Sequence, residues 1–164
     1  MTRISGIRST TERGFTVVEL VVILVLVAIL AFAVIPRYQD KGAINVSALA
    51  EQLASDIRYT QSLAMTSGQR NRINLAAASY QITTSSGGPV VHPATGSTAV
   101  ISLSNVSLTL SGLSNSYIAF DGKGIPYTDV AGTVLSANAT ITLNSSGSTR
   151  QVVVSPQTGR VIVQ

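Results

Sequence analysis

The stretch RGFTVVELVVILVLVAILAFAVIPRY, residues 13–38, decides the fold class of this chain because it is almost entirely apolar. From Phe15 to Ile35 the only ionisable side chain is that of Glu19. As a helix rising about 1.5 Å per residue, this run spans roughly 30 Å, the thickness of the hydrocarbon core of a bilayer. In lipid, only a helix satisfies its own backbone hydrogen bonds. The run therefore predicts a transmembrane helix over residues 15–35.

The charges before this run predict its orientation. Arg3, Arg8 and Arg13 precede it, so we expect the N-terminus in the cytoplasm and the rest of the chain across the membrane. A secretory signal peptide is the competing interpretation, but it needs a small-residue cleavage site after the apolar run. Pro36-Arg37-Tyr38 stands there instead, and the small residue, Gly14, lies on the cytoplasmic side. We therefore expect the apolar helix to be retained.

Length and composition limit what the remaining residues can form. A chain of 164 residues predicts one small domain and an added segment. Only 11% of the residues are charged and the net charge is +4, so the high isoelectric point reflects a scarcity of acids rather than a basic surface. The absence of cysteine excludes disulfide bonds and thiolate metal sites.

The start of the apolar run carries a motif of specific spacing. Gly14-Phe15-Thr16-Val17-Val18-Glu19-Leu20 resembles the prepilin motif of type IV pilins and type II secretion pseudopilins, in which a leader ends in Gly, Phe follows, and Glu comes four residues later. Pro36 and Tyr38 also stand where many members of this family have Pro and Tyr. The resemblance implies a pilin-like chain.

The resemblance also implies a processing pathway. A prepilin peptidase would remove the leader, residues 1–14, by cutting between Gly14 and Phe15, and would methylate the new amino group of Phe15. The other implied partners are membrane lipid, the inner-membrane assembly platform and other pilins or pseudopilins, which bind through the N-terminal helix. The implied location is the inner membrane, with the head outside the cytoplasm, and afterwards the pilus or pseudopilus.

Glu19 needs a physical reason for its place in an apolar run. A carboxylate at the centre of a membrane helix costs about 2.5–3.5 kcal/mol on insertion scales. Cleavage would create an ammonium on Phe15, and a carboxylate in a low-dielectric layer needs such a cation. The resemblance favours a contact with the Phe15 amine of a neighbouring subunit, which would fix the axial register. The alternative is that Glu19 reaches the lipid headgroups.

The residues after the apolar run predict a second, amphipathic part of the helix over 36–66. Pro36 removes one helical hydrogen bond and should kink or loosen the helix. The apolar stripe that follows consists of Val46, Leu49, Leu53, Ile57, Thr60 and Ala64. The polar residues off this stripe are Glu51, Gln52, Asp56 and Arg58. We expect the stripe to pack on a small domain and the helix to end at Ser67-Gly68.

Residues 67–164 change from helical to strand periodicity and predict an antiparallel, β-rich head. The predicted strands centre on Ile73–Leu75, Ile101–Leu103, Val106–Leu110, Ile141–Leu143, Val152–Val154 and Val161–Val163. The turn signals between them are 85–89, 121–124, 145–147 and 157–159. The predicted fold class is therefore α+β and pilin-like, with one long N-terminal helix packed on an antiparallel head.

Three further segments resemble one group within the family of type IV pilins and pseudopilins. LASDIRYTQSLAMTSGQR (53–70), YIAFDGKGIP (117–126) and RQVVVSPQTGRVIV (150–163) are similar to the group that includes the secretion pseudopilin H, the FimT minor pilins and the MSHA-type minor pilins. The resemblance implies a minor, low-copy subunit that assembles into, or primes, a type IV pilus or a type II secretion pseudopilus.

No catalytic arrangement emerges from the sequence. His92 is the only histidine and has no carboxylate nearby in the sequence, so we interpret it as an ordinary loop residue. Asp121 and Asp129 are too sparse for a calcium loop, and 121–124 is better explained as a hairpin turn. The glycine-rich segment 85–89 lacks the Lys-Ser/Thr of a phosphate loop. We therefore expect no enzymatic activity and no cofactor or metal.

Two alternative functions stay open beside the filament subunit. Some FimT-like minor pilins bind DNA, and the candidates for weak DNA contact here are Arg70, Arg72, Arg150 and Arg160. The DNA-binding pattern has a second basic residue two positions after the C-terminal Gly-Arg. In this chain Val161-Ile162 follows Gly159-Arg160, which argues against nucleic acid as a partner. The other alternative is a simple signal-anchored envelope protein, and the sequence does not separate secretion from pilus assembly.

Overall fold

The structure, a computed structural model, describes residues 14–34, 41–129 and 132–164. Helix α1 spans Val17–Val34, and helix α2 spans Lys41–Ser67. The leader residues 1–13 and Pro36, where we predict a kink, lie outside the described residues. Contacts divide the chain into an N-terminal unit and a compact unit that includes α2 and everything after it. We call the second unit the head.

None of the helices that the structure describes combines the length and the apolar character that a membrane crossing needs.

Nine strands follow α2 within the described residues. They are β1 (Asn71–Ala76), β2 (Ser79–Thr84), β3 (Ile101–Ser102), β4 (Ser107–Ser111), β5 (Tyr117–Phe120), β6 (Pro126–Tyr127), β7 (Ala139–Ser145), β8 (Ser148–Val154) and β9 (Val161–Val163). They form sheet A, in the order β3-β2-β1-β5-β6, and sheet B, in the order β4-β7-β8-β9. Every neighbouring pair is antiparallel. The predicted α+β class with an antiparallel β-rich head is confirmed.

Helix α2 closes the head by packing on strands of both sheets, including β1, β5, β7, β8 and β9. Val46, Leu53 and Ile57 on its predicted stripe are completely buried, as hydrophobic burial at helical spacing requires. Asp56, which the sequence analysis placed off this stripe among the polar residues, is nevertheless buried. Each oxygen of its buried carboxylate faces one other polar group of the head.

The end of α2 is held against two turns of the head. The helix ends at Ser67, as predicted, and Gly68 follows with a φ of 65°. One turn and a half earlier, the side-chain Nε2 of Gln61 donates to the carbonyl oxygens of Gly124 and Thr158, both at 2.9 Å. This amide joins the β5–β6 turn and the β8–β9 turn to the helix. The backbone of both turns therefore lies within hydrogen-bonding distance of the Gln61 side chain.

Gly159 lies at the tightest point of this junction, and we predict that Gly159→Ala destabilises the head. Its φ is 63°, and an added Cβ would lie 2.6 Å from Gln61 Nε2 and 2.9 Å from the Gly124 carbonyl oxygen. Left-handed strain and overpacking together should cost about 2–4 kcal/mol of unfolding free energy. Urea unfolding of residues 41–164, followed by circular dichroism, measures this loss.

Gly147→Ala is the matched control for this substitution. Gly147 also has a left-handed φ, of 83°, but nothing lies within 4 Å of its Cβ position. The control should therefore show only the backbone strain, about 1–2 kcal/mol. Equal losses in the two variants would mean that the contacts of Gly159 with Gln61 and Gly124 do not matter.

Candidate functional sites

The Gly14–Phe15 step, where we predict leader cleavage, lies directly before α1. Gly14 is exposed, and apart from its chain neighbours no atom of the described residues lies within 4 Å of the position of a Cβ there. The Phe15 side chain is 72% exposed. Both residues of this peptide bond are therefore exposed among the described residues.

Thr16 and Glu19 form the start of α1. The backbone N–H of Glu19 donates to Thr16 Oγ1 at 3.2 Å, so Thr16 is the N-cap and Glu19 is the third helical residue. Thr16-Val17-Val18-Glu19 also has the spacing of a capping box, a signal that the sequence analysis missed. A carboxylate in the first turn is favourable to the helix dipole. Glu19 therefore has a local role in the helix besides any role between subunits.

The apolar side chains of α1 face outwards on all sides of the helix. Exposed fractions of its large hydrophobic residues run from 44% at Ile23 to 81% at Val17. A helix that is hydrophobic all round needs an apolar environment, either lipid or other helices. Among the described residues, these side chains of α1 stay exposed.

Arg70 directly precedes β1 of sheet A and Arg72 lies on it, and each stacks on a tyrosine. The Arg70 guanidinium carbon lies 4.2 Å from the centre of the Tyr127 ring, and that of Arg72 lies 5.1 Å from the centre of the Tyr117 ring. Arg72 Nε also donates to Thr83 Oγ1 at 3.2 Å. Two of the four arginines considered for DNA contact are thus engaged in cation–π contacts within the head.

An acidic residue lies beside this arginine pair. The Asp121 carboxylate accepts hydrogen bonds from the backbone N–H groups of Lys123 and Ile125, both at 2.9 Å, and from the Tyr127 hydroxyl at 3.1 Å. Burial acts to raise the pKa of Asp121, but these three donors and the charge of Arg70 together lower it. The interactions hold the β5–β6 hairpin in the turn predicted for 121–124, and they place a negative charge near Arg70.

The other two arginines lie on or next to strands of sheet B. Arg150 lies on β8, and its Nε donates to Ser47 Oγ of α2 at 3.1 Å. Arg160 is exposed and precedes β9. The four arginines therefore divide into Arg70 and Arg72, at the start of β1 in sheet A, and Arg150 and Arg160, on β8 and just before β9 in sheet B.

A buried polar cluster joins α2, β2 and the β2–β3 loop, residues 85–100. Asp56 Oδ2 accepts a hydrogen bond from the Tyr80 hydroxyl at 2.6 Å, and Asp56 Oδ1 lies 2.9 Å from His92 Nε2. Tyr80, His92 and Asp56 are 1%, 3% and 5% exposed. The interpretation of His92 as an ordinary loop residue without a carboxylate nearby is wrong, because α2 brings Asp56 to it.

Tyr80 shows the electrostatic effect of this cluster. Burial raises the pKa of its hydroxyl far above the ordinary value, and the hydrogen bond to the negative Asp56 raises it further. The hydroxyl therefore stays protonated and serves as a donor to Asp56. On the loop side, His92 Nδ1 accepts the backbone N–H of Ala94 at 3.3 Å, so the Nε2 nitrogen that faces Asp56 carries a proton.

A helix packed on antiparallel sheets, preceded by an apolar helix with an accessible Gly-Phe step, defines the class of pilin-like proteins. Two crystal forms of FimU, a type IV minor pilin of Pseudomonas aeruginosa PAO1, show this fold. The first matches with a TM-score of 0.53 and 16% identity, over 72% of this chain and 91% of that one. The second matches with a TM-score of 0.54 and 15% identity, over 73% of this chain and 87% of that one. The minor pseudopilin EpsH of the Vibrio cholerae type 2 secretion system matches with a TM-score of 0.50 and 10% identity, over 73% of this chain and 96% of that one. No curated protein matches the sequence significantly.

The sequence of the head identifies the family. Residues 49–158 match the family described as type II transport protein GspH. The chain belongs to this family, which confirms the resemblance to type IV pilins and type II secretion pseudopilins. It is therefore a structural subunit of the minor pilin or pseudopilin type.

Proposed function

We propose that this chain is made as a precursor, cut between Gly14 and Phe15, methylated on the Phe15 amine, and built as a minor subunit into a type IV pilus or a type II secretion pseudopilus. The observation that carries the proposal is the accessible Gly14–Phe15 step directly before a capped apolar helix, in a chain of the GspH family. The partners are a prepilin peptidase with methyltransferase activity, the assembly platform and other subunits.

The exposed apolar surface of α1 supports an anchor in the inner membrane before assembly. Residues 15–35 contain one ionisable side chain, so lipid is a suitable environment for the rest of the segment. The basic leader favours a cytoplasmic N-terminus and a head on the other side. In the filament, the α1 helices of other subunits would replace lipid around these side chains.

Within the filament, we propose that Glu19 pairs with the Phe15 amine of a neighbouring subunit. The first turn of α1 fixes the backbone of Glu19 through Thr16, so the carboxylate has a defined axial position. An ammonium and a carboxylate in an apolar layer satisfy each other only at contact distance, which would set the register between subunits. Both FimU and EpsH are minor subunits by description, which supports a low-copy role here.

Gly14→Leu should block processing and leave the full-length precursor in the membrane. The expected wild-type product begins at Phe15 and carries one added methyl group. Because no atom lies within 4 Å of the Cβ position at Gly14, the substitution should leave α1 intact, and the loss would come from a poor fit to the peptidase. Intact mass and N-terminal sequencing of the membrane fraction measure both products.

Gly14→Ala is the control for side-chain size, and it should retain more processing than Gly14→Leu. A wild-type product that starts after residue 35, or that keeps Met1, would contradict the proposed processing. Full cleavage of Gly14→Leu at the same bond would show that the peptidase does not require a small residue there.

A further inference from the structure

One continuous part of the head has no charged residue. From Ile73 to Phe120 the chain contains no Asp, Glu, Lys or Arg. This part supplies β1 from Ile73 onwards and β2 to β5, including β3, which forms an edge of sheet A. Soluble surfaces normally mix charges of both signs, whereas the centre of a protein interface is depleted of them. The edge of sheet A at β3 therefore has the composition of an interface.

The β2–β3 loop on this edge is long, yet its backbone is held at several points. Val90 N–H donates to the Ile82 carbonyl at 3.0 Å, and His92 N–H donates to the Ser97 carbonyl at 2.8 Å. Gln81 Nε2 donates to the Thr98 carbonyl at 2.9 Å. Long loops with defined structure in compact domains are usually functional. A loop that is ordered in advance loses less conformational entropy when a partner binds.

The buried cluster explains how this loop is fixed to the head. His92 is the one ionisable loop residue, and it reaches the Asp56 carboxylate of α2 beneath the loop. On either side of this anchor, Val91 and Val100 remain 54% and 51% exposed. In the described part of the head, the other large hydrophobic side chains with such exposure are Met65 and Val134. The anchor thus positions a loop that displays two apolar side chains.

Two concave surfaces flank β3. A cavity of about 180 Å³ opens beside Val100 and is lined by Asn74, Leu75, Tyr80 and Gln81 among others. After β3, a groove of about 520 Å³ runs between residues 103–107 and the β7–β8 turn at 144–149. The residues that line both concavities are uncharged, with hydroxyl, amide and apolar side chains. Such a surface fits an uncharged protein segment with an apolar side chain.

We infer that the β2–β3 loop and the β3 edge of sheet A form the surface through which this head binds the head of another filament subunit. We call it the β3 face. Its occupant is an uncharged segment of that subunit, with an apolar side chain beside Val100. The inference rests on the proposed filament function, and it adds a contact between heads that is separate from the contacts of α1.

Single charges at the β3 face test this inference. Val91→Asp and Val100→Asp should each reduce co-purification of the full-length, processed chain with other subunits of the prepilin type by about tenfold or more, because a carboxylate would lose its water at the interface. Both side chains are half exposed, so the fold should be kept. Val134→Asp is the matched control. Val134 is 41% exposed and bridges to Tyr127 of β6, at the opposite edge of sheet A.

Crosslinking provides a second measurement, because the chain has no cysteine and each introduced thiol is unique. Val91→Cys and Val100→Cys should crosslink to another subunit with a prepilin motif in cells that assemble the filament, and Val134→Cys should not. If the Val91, Val100 and Val134 variants co-purify and crosslink equally, while the wild type co-purifies normally, the inference about the β3 face is wrong and the proposed function stands. Failure of the wild type to co-purify with any such subunit would overturn both this inference and the proposed function.

Discussion

Asp56→Ala should lower the unfolding free energy of the head by about 3–5 kcal/mol, which is a large share of the stability of a small domain. The substitution leaves the Tyr80 hydroxyl and His92 Nε2 buried without the carboxylate that both now face. It also opens a cavity beneath the β2–β3 loop. Urea unfolding of residues 41–164, followed by circular dichroism, gives the change in free energy.

Two further variants separate the buried cluster from general effects on α2. Glu51→Ala removes an exposed carboxylate from the same helix and should change stability by less than about 0.5 kcal/mol. Asp56→Asn keeps the side-chain volume and one acceptor oxygen, so its loss should be intermediate. If Asp56→Ala and Glu51→Ala are equally stable, the contacts of Asp56 with Tyr80 and His92 contribute nothing to folding.

The sequence predicts the helix that closes the head because its information is local. The stripe from Val46 to Ala64 repeats at three and four residues, and any surface that covers it must be apolar. Short alternating segments predict strands such as β4 and β7 in the same way. These patterns establish the α+β class without any knowledge of which strands pair.

The buried cluster could not be predicted in that way. Asp56 and His92 lie 36 residues apart in the sequence. They meet only because α2 and the β2–β3 loop pack on sheet A. A polar residue next to an apolar stripe is normally exposed. Only the tertiary arrangement supplies Tyr80 and His92, whose polar groups offset the free-energy cost of burying the Asp56 carboxylate. Strand β2 was also not predicted, because Gln81, Thr83 and Thr84 make its pattern mostly polar.

In the candidate sites too, some features follow from the local sequence and others only from the tertiary structure. The segment from Gly14 to Glu19 resembles the prepilin motif, and that resemblance implies a processing step; the structure adds the N-cap at Thr16. The arginines considered for DNA contact could be named from the sequence, but their separation into two pairs required the sheets. Tyr117 and Tyr127, which stack on Arg72 and Arg70, come from strands that are distant in sequence from those arginines.

Glu19 has two roles that must be separated by experiment. As the third residue of α1, it stabilises the helix start, where a negative charge contributes about 0.3–1 kcal/mol. As the proposed partner of a neighbouring Phe15 amine, it contributes to assembly, where loss of one member of a desolvated pair costs about 3–5 kcal/mol. The second effect is larger and requires other subunits.

Glu19→Ala should therefore be processed between Gly14 and Phe15 and should enter the membrane, because removing a charge makes membrane residence easier. Its co-purification with other filament subunits should fall by about a hundredfold or more, following the free energy of the lost pair. Glu19→Gln should have a milder defect, because it keeps the side-chain volume and some hydrogen bonding. A processing blot beside co-purification from membranes measures both steps.

Thr16→Ala is the control that separates the helix start from the charge pair. It removes the Oγ1 that accepts the Glu19 N–H, yet it keeps the carboxylate. Loss of an N-cap costs about 1 kcal/mol, so assembly should fall by less than about tenfold. Equal defects in Thr16→Ala and Glu19→Ala would mean that Glu19 acts by starting the helix. Normal assembly of processed Glu19→Ala would show that the carboxylate has no partner in the filament and lies at the lipid headgroups, where a long polar side chain loses little solvation.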